Sequence, residues 1–129
     1  MLLLDTHAFV WLASDQRHLP PKAKEAIHQH GGSLFLSAIS ALEIAILVKR
    51  NRLALPLPPE AFIDRALAQH GISEIPVTRD IACHSASLPD IHNDPFDRII
   101  VATAGLRKLV IVSKDSTLAR YPGTRVVWD

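Results

Sequence analysis

Three runs in this chain, Leu2-Leu3-Leu4, Leu34-Phe35-Leu36 and Leu109-Val110-Ile111-Val112, are apolar at every position rather than at alternate ones. A strand with one wet face alternates apolar and polar residues, so a continuous apolar strand must be covered on both faces. Helix-like stretches separate the runs, and no Asn-Gly or Asp-Gly hairpin turn joins them. The pattern therefore predicts an α/β fold with a mostly parallel central sheet and helices on both sides. In such sheets ligands bind beyond the carboxyl ends of the strands, where the strand order reverses.

The remaining elements follow from caps and breakers. A helix is expected over Thr6 to Ala13, and a second from Pro20-Pro21 to about His30, stopped by Gly31-Gly32. Ser37 and Ser40 are candidate N-caps for a long apolar helix reaching about Asn51. The prolines of Leu55-Pro56-Leu57-Pro58-Pro59 form a rigid connector. Beyond it come a helix over Glu60 to His70, a strand over Ile72 to Val77 and a helix from Arg79 to Ser87 capped by Thr78. Asp94 and Pro95 open a helix over Phe96 to Lys108, with Asp94 at the N-cap. A helical turn reaches Arg120 and a strand over Arg125 to Trp128 closes the chain.

At 129 residues, with 48% apolar and 21% charged residues, one domain spanning 1–129 is expected, far from the composition of disorder. The single cysteine, Cys83, cannot form an internal disulfide, which fits a cytoplasmic protein. The N-terminal apolar run stops at Asp5, too short for a signal peptide, and the run Ala41 to Val48 is interrupted by Glu43, so no membrane span is expected. Net charge is +1, from 14 basic and 13 acidic residues. If four of those acids are neutralised by a metal, the basic excess becomes compatible with a phosphate-backbone ligand.

Those four are Asp5, Glu43, Asp97 and Asp115, each beside or within an apolar segment. Carboxylates are seldom buried without compensation. Asp5 and Asp115 follow strands and would serve equally as helix N-caps, and Asp97, in the first turn of a helix, would interact well with its dipole. Glu43 has no polar helix face around it and needs a partner, either an Arg or Lys or a shared cation. Crowded carboxylates suit a hard ion such as Mg²⁺ or Mn²⁺. The seven histidines and lone cysteine show no zinc-like spacing, and His92 reads as a loop or surface residue.

These residues also carry a resemblance. Leu2-Leu3-Leu4-Asp5-Thr6-His7 with Trp11, Leu36 to Ser40 with Glu43-Ile44, Asp94-Pro95-Phe96-Asp97-Arg98 through Ala104, and Ser113-Lys114-Asp115 together resemble the PIN-domain toxins of the VapC type. The resemblance covers Met1 to Asp129. It implies a three-layer α/β/α sandwich and a Mg²⁺-dependent endoribonuclease of a type II toxin–antitoxin system, with Mn²⁺ as a possible substitute. It implies that Asp5, Glu43, Asp97 and Asp115 hold the metal, supported by Ser113 or Thr6. It further implies a VapB-type antitoxin partner, an RNA substrate such as tRNA or rRNA, and a homodimer.

Arg98 is the first candidate for a phosphate contact and Lys114 the second, the alternative for both being an ion pair with the acids. Lys49, Arg50, Arg52, Arg107 and Lys108 either form an RNA-facing rim or are solvated helix ends. Aromatic residues are sparse, so no base-stacking platform is inferred. The apolar helix around Glu43 and the Phe62 helix are candidate partner surfaces or simply core. Two other functions compete: a PIN scaffold that only binds RNA or protein, and a phospho-receiver module. The receiver wants two adjacent acids after the first strand, where this chain has Asp5-Thr6-His7.

Overall fold

A computed structural model describes all 129 residues, Met1–Asp129. The strands are β1 (Leu2–Leu4), β2 (Leu34–Ser37), β3 (Ile72–Ile75), β4 (Val110–Val112) and β5 (Val126–Val127). The α-helices are α1 (Thr6–Ser14), α2 (Pro21–Gln29), α3 (Ile39–Lys49), α4 (Pro59–His70), α5 (Arg79–Ser87) and α6 (Pro95–Arg107). Single 3₁₀ turns cover Gln16–His18 and Ser116–Arg120. All strand pairings are parallel, in the order β3-β2-β1-β4-β5.

The strand periodicity of two sends alternate residues to opposite faces, which is why the apolar runs have no polar member. Leu2, Leu4, Leu34, Leu36 and Val112 join one buried cluster with Phe9, Ile44 and Phe62. Leu3 and Ile111 join a second with Ile100, Val101, Leu118 and Tyr121. One helical layer thus covers each face, giving an α/β/α sandwich. The sheet, expected to be mostly parallel, is entirely so.

Boundaries depart from the sequence reading where backbone chemistry intervenes. β3 ends at Ile75 because Pro76 lacks an amide for the ladder. Helix α6 stops at Arg107, where Lys108 turns left-handed at φ 57°. Asn51 takes the same conformation just past the end of α3. The α3 cap position belongs to Ala38, yet the Ser37 hydroxyl accepts from the Ile39 amide at 3.1 Å and so caps the first turn from one residue further back, while the Ser40 hydroxyl turns to Thr6. Thr78 occupies the α5 cap position, yet its hydroxyl donates to Asp80 rather than accepting from the helix. No helix is long and apolar enough to cross a membrane.

Strand order fixes where the ligand crevice falls. The chain leaves β1 toward β2 on one side and leaves β4 toward β5 on the other, so the switch point lies between β1 and β4. Leu4 pairs with Val112, which sets Asp5 and Ser113 side by side just past the strand ends. The receiver alternative requires the order 2-1-3-4-5, which this sheet does not have.

Candidate active site

At that switch point opens a cleft of about 530 Å³ lined by Asp5, Thr6, His7, Trp11, Glu43, Asp94, Asp97, Lys114 and Asp115. Four separate elements deliver its acids. Asp5 closes β1 and caps α1, accepting from the Ala8 amide at 2.8 Å. Asp115 follows β4 and accepts from the Thr117 amide at 2.9 Å, capping the 3₁₀ turn. Asp94 caps α6 through the amides of Phe96 and Asp97, at 2.9 and 3.3 Å. In each case one carboxylate oxygen fixes the side chain against a helix start. Capping and cleft-lining are compatible for these residues, because a carboxylate has a second oxygen to offer.

Glu43 sits in the middle of α3 and reaches the cleft through a hydroxyl relay. The Thr6 hydroxyl lies 2.6 Å from Glu43 Oε1 and 2.9 Å from the Ser40 hydroxyl. Its one proton serves Glu43, so Ser40 supplies the proton of the second bond. Thr6 and Ser40 are buried, which makes this relay rigid. Ser113 is buried too; its hydroxyl accepts from the Asp115 amide at 3.0 Å and hydrogen-bonds Asp5.

No Arg or Lys forms an ion pair with any of these acids; the nearest basic side chain is His92, whose Nε2 lies 3.8 Å from Asp97 Oδ2. The electrostatic result is visible at Asp97. Burial, followed by the charges of Asp94, Asp5, Glu43 and Asp115, pushes its pKa up to about 7. Burial also raises Asp5, against the opposing hydrogen bonds from Ser113 and Ala8. A cation placed among the acids would relieve this repulsion.

His92 lies in the loop between α5 and α6, as expected of a loop or surface residue, but it is largely covered there. Its side chain is 20% exposed, and Nε2 is shut off from solvent without a hydrogen-bond partner. One ligand atom from each of His92, Asp97 and Asp115 falls within 4.8 Å of the others. Carboxylate oxygens and an orphaned buried nitrogen make a donor set that fits a divalent cation.

Arg98 also lies elsewhere than a phosphate contact requires. Its guanidinium donates to the carbonyls of Ser85, Leu88, Pro89 and His92, at 2.9 to 3.3 Å. It fastens the segment between α5 and α6, and it does not line the acidic cleft. The planar five-donor fork suits that task, since several carbonyls converge on one group. Lys114 does line the cleft and is exposed there.

The five-residue basic rim is not assembled around the cleft either. Arg107 pairs with Asp80 at 3.2 Å near the C-terminal end of α6, opposite the end that carries Asp97. Lys49, Arg50 and Arg52 lie at or past the far end of α3. Aromatic groups, by contrast, gather more than expected: Trp11 packs with His7, His18 and Trp128 at centroid distances of 5.2 to 5.7 Å. Trp11 and His7 form one wall of the cleft. His7 and Trp11 are neighbours by helical spacing on α1, whereas Trp128 reaches them only because β5 returns beside β4, which no local spacing reveals.

A parallel α/β/α sandwich with a carboxylate-lined crevice at its switch point defines a class of proteins suited to holding a divalent cation against an anionic ligand. Comparison with known proteins makes the class specific. The PIN domain family model matches residues 2–123. A Mycobacterium tuberculosis protein named Ribonuclease VapC22 is 33% identical over 130 residues, covering 98% of both chains. Among solved structures, a toxin-antitoxin complex from Klebsiella pneumoniae is similar at TM-score 0.69 and 27% identity, covering 98% of this chain and 96% of that one. VapBC2 from Rickettsia felis, bound to a promoter DNA fragment, shares the fold at TM-score 0.75 and 14% identity, covering 99% and 98%. The chain belongs to the PIN domain family, in its VapC branch.

Proposed function

We propose that this chain, as one PIN domain over residues 1–129, is a divalent-metal-dependent endoribonuclease. In this reading it is the toxin of a type II toxin–antitoxin pair and acts in the cytoplasm. The observation that carries the reading is the convergence of Asp5, Glu43, Asp97 and Asp115 on one cleft with no Arg or Lys paired to any of them. The relative's name, ribonuclease, supports RNA as the substrate.

Asp5, Glu43, Asp97 and Asp115 would hold the ion, Mg²⁺ or in its place Mn²⁺, through oxygen donors. The bound ion supplies Lewis-acid charge and lowers the pKa of a water, the nucleophile for in-line attack on a phosphodiester. The chain's own groups do the rest. Thr6 keeps Glu43 turned into the cleft, and the caps on Asp5 and Asp115 prevent rotation away from it. Lys114, the one ammonium on the cleft wall, attracts the phosphate and offsets charge that builds on it. Attack by water leaves a 5′-phosphate on one fragment and a 3′-hydroxyl on the other.

The target is a structured RNA such as a tRNA or rRNA loop, whose unpaired bases leave the phosphate accessible. The neighbouring toxin–antitoxin complexes support a VapB-type antitoxin as partner. Helix α3 supports a homodimer: Leu42 is 51% exposed, and Ile46, Leu47 and Val48 are only partly covered. Phe62, Ile63 and Ala66 of α4 are buried and belong to the core instead.

Incubating total cellular RNA with the purified protein tests the reading. Discrete fragments should appear with Mg²⁺ and disappear with EDTA, and Asp5→Asn and Asp97→Asn should each lower the rate at least about 100-fold. An unchanged fragment pattern in EDTA or in both variants would remove the mechanism.

A further inference from the structure

The least explained polar atom in the molecule is Nε2 of His92, buried and without a hydrogen-bond partner. Its ring is held from behind. Nδ1 lies 3.2 Å from the Tyr121 hydroxyl, the two rings meet edge to face at 5.5 Å, and the same hydroxyl accepts from the His92 amide at 3.4 Å. Tyr121 is 1% exposed and cannot swing away. With the phenol oxygen as acceptor for Nδ1–H, the lone pair is on Nε2 and faces Asp97 Oδ2 at 3.8 Å.

That distance is too long for a hydrogen bond. A nitrogen lone pair facing an ionised carboxylate is also repulsive unless a proton or a cation stands between them, and at 3.8 Å no shared proton is hydrogen-bonded. Donors that share one ion at about 2.1 Å stand roughly 3 to 4.2 Å from each other. The nitrogen-to-Asp97 separation falls in that interval, and the third donor, Asp115, lies within 4.8 Å of both. Metal-bound histidines generally have the second ring nitrogen fixed by a hydrogen-bond acceptor, the place Tyr121 takes here.

We infer that His92 Nε2 is a direct ligand of the ion in the cleft, beside Asp97 and Asp115, so that the site binds Mn²⁺ more tightly than Mg²⁺ while accepting both. The inference rests on the metal-dependent reading above and deepens it. Imidazole favours transition ions, whereas Mg²⁺ takes oxygen donors and gives up its waters reluctantly. His92 precedes the Asp94 cap by two residues, so the turn that starts α6 would carry a nitrogen ligand as well as its acids.

The test is pulsed electron paramagnetic resonance of Mn²⁺ bound to the purified full-length protein, with Mn²⁺ and Mg²⁺ affinities measured by competition. The spectrum of the unmodified protein should contain ¹⁴N coupling from one bound imidazole. His7, the one histidine that lines the cleft itself, provides the control, since His92 stands behind Asp97 and Asp115. Coupling should persist in His7→Gln and vanish in His92→Gln, with Mn²⁺ affinity falling about tenfold or more and Mg²⁺ affinity changing about twofold or less. Mn²⁺ bound without nitrogen coupling, or coupling that survives His92→Gln, would overturn the inference and leave the metal-dependent reading standing. No Mn²⁺ binding at all would overturn both.

Discussion

Asp97 is where the electrostatics of the cleft are most exposed to measurement. Its pKa rises from 3.8 unfolded to about 7 folded, chiefly through burial and then through the neighbouring acids. The metal-free folded chain therefore retains a proton that the unfolded chain releases. Its contribution to stability is intact below the unfolded value and is lost as pH rises through the folded one. Asp5, also raised by burial, acts in the same direction. Without metal the protein should be less stable at about pH 8 than at about pH 5, by an amount on the order of a few kcal/mol. Asp97→Asn should remove most of that slope in denaturant titrations and stabilise the metal-free protein at the higher pH. Equal stability of wild type at both values would show that the acids do not crowd one another. Below about pH 4 the lowered carboxyls of Asp15 and Asp80, each near 2, oppose this trend and mask it.

The turn between α5 and α6 is the element on which the candidate site depends most. Arg98, anchored in α6, holds the carbonyls of Ser85, Leu88, Pro89 and His92, and the same segment carries His92 and leads to Asp94. Lysine keeps the charge but cannot fork to several acceptors. Arg98→Lys should cost about 3 kcal/mol in chemical denaturation and also weaken metal binding. A loss confined to RNA affinity, with stability unchanged, would return Arg98 to the phosphate. Sequence reading could not assign this role, because the acceptors are backbone groups lying up to 13 residues away, with no side-chain signature. His92 escaped for a similar reason: its burial comes from Tyr121, 29 residues later, which no periodicity connects to it. The acids were easier to single out, since a carboxylate standing against an apolar strand or inside an apolar helix is conspicuous before any coordinates exist.

Across the whole molecule the layout was readable because so much of it follows from covered strands. Leu2 to Leu4 are at most 2% exposed, as a run with no polar member requires. The strand order and the cleft at the β1–β4 switch point then set which distant residues meet. What local patterns did not contain was the return of β5 beside β4, which brings Trp128 against Trp11. A ligand that binds only the folded state stabilises all of it, so saturating Mg²⁺ or Mn²⁺ at about 100 times its dissociation constant should add about 2.7 kcal/mol. In thermal melts this should raise Tm by several degrees, reversibly with EDTA, and the Asp5→Asn and Asp115→Asn variants should lose the gain. Melting temperatures indifferent to the ion would mean that the acids do not hold one.

The most direct test is an anomalous difference map from a crystal of the protein grown with Mn²⁺. A strong peak is expected in the cleft beyond β1 and β4, within about 2.4 Å of carboxylate oxygens of Asp97 and Asp115. An empty cleft at saturating Mn²⁺, or a peak only on another face of the molecule, would contradict it.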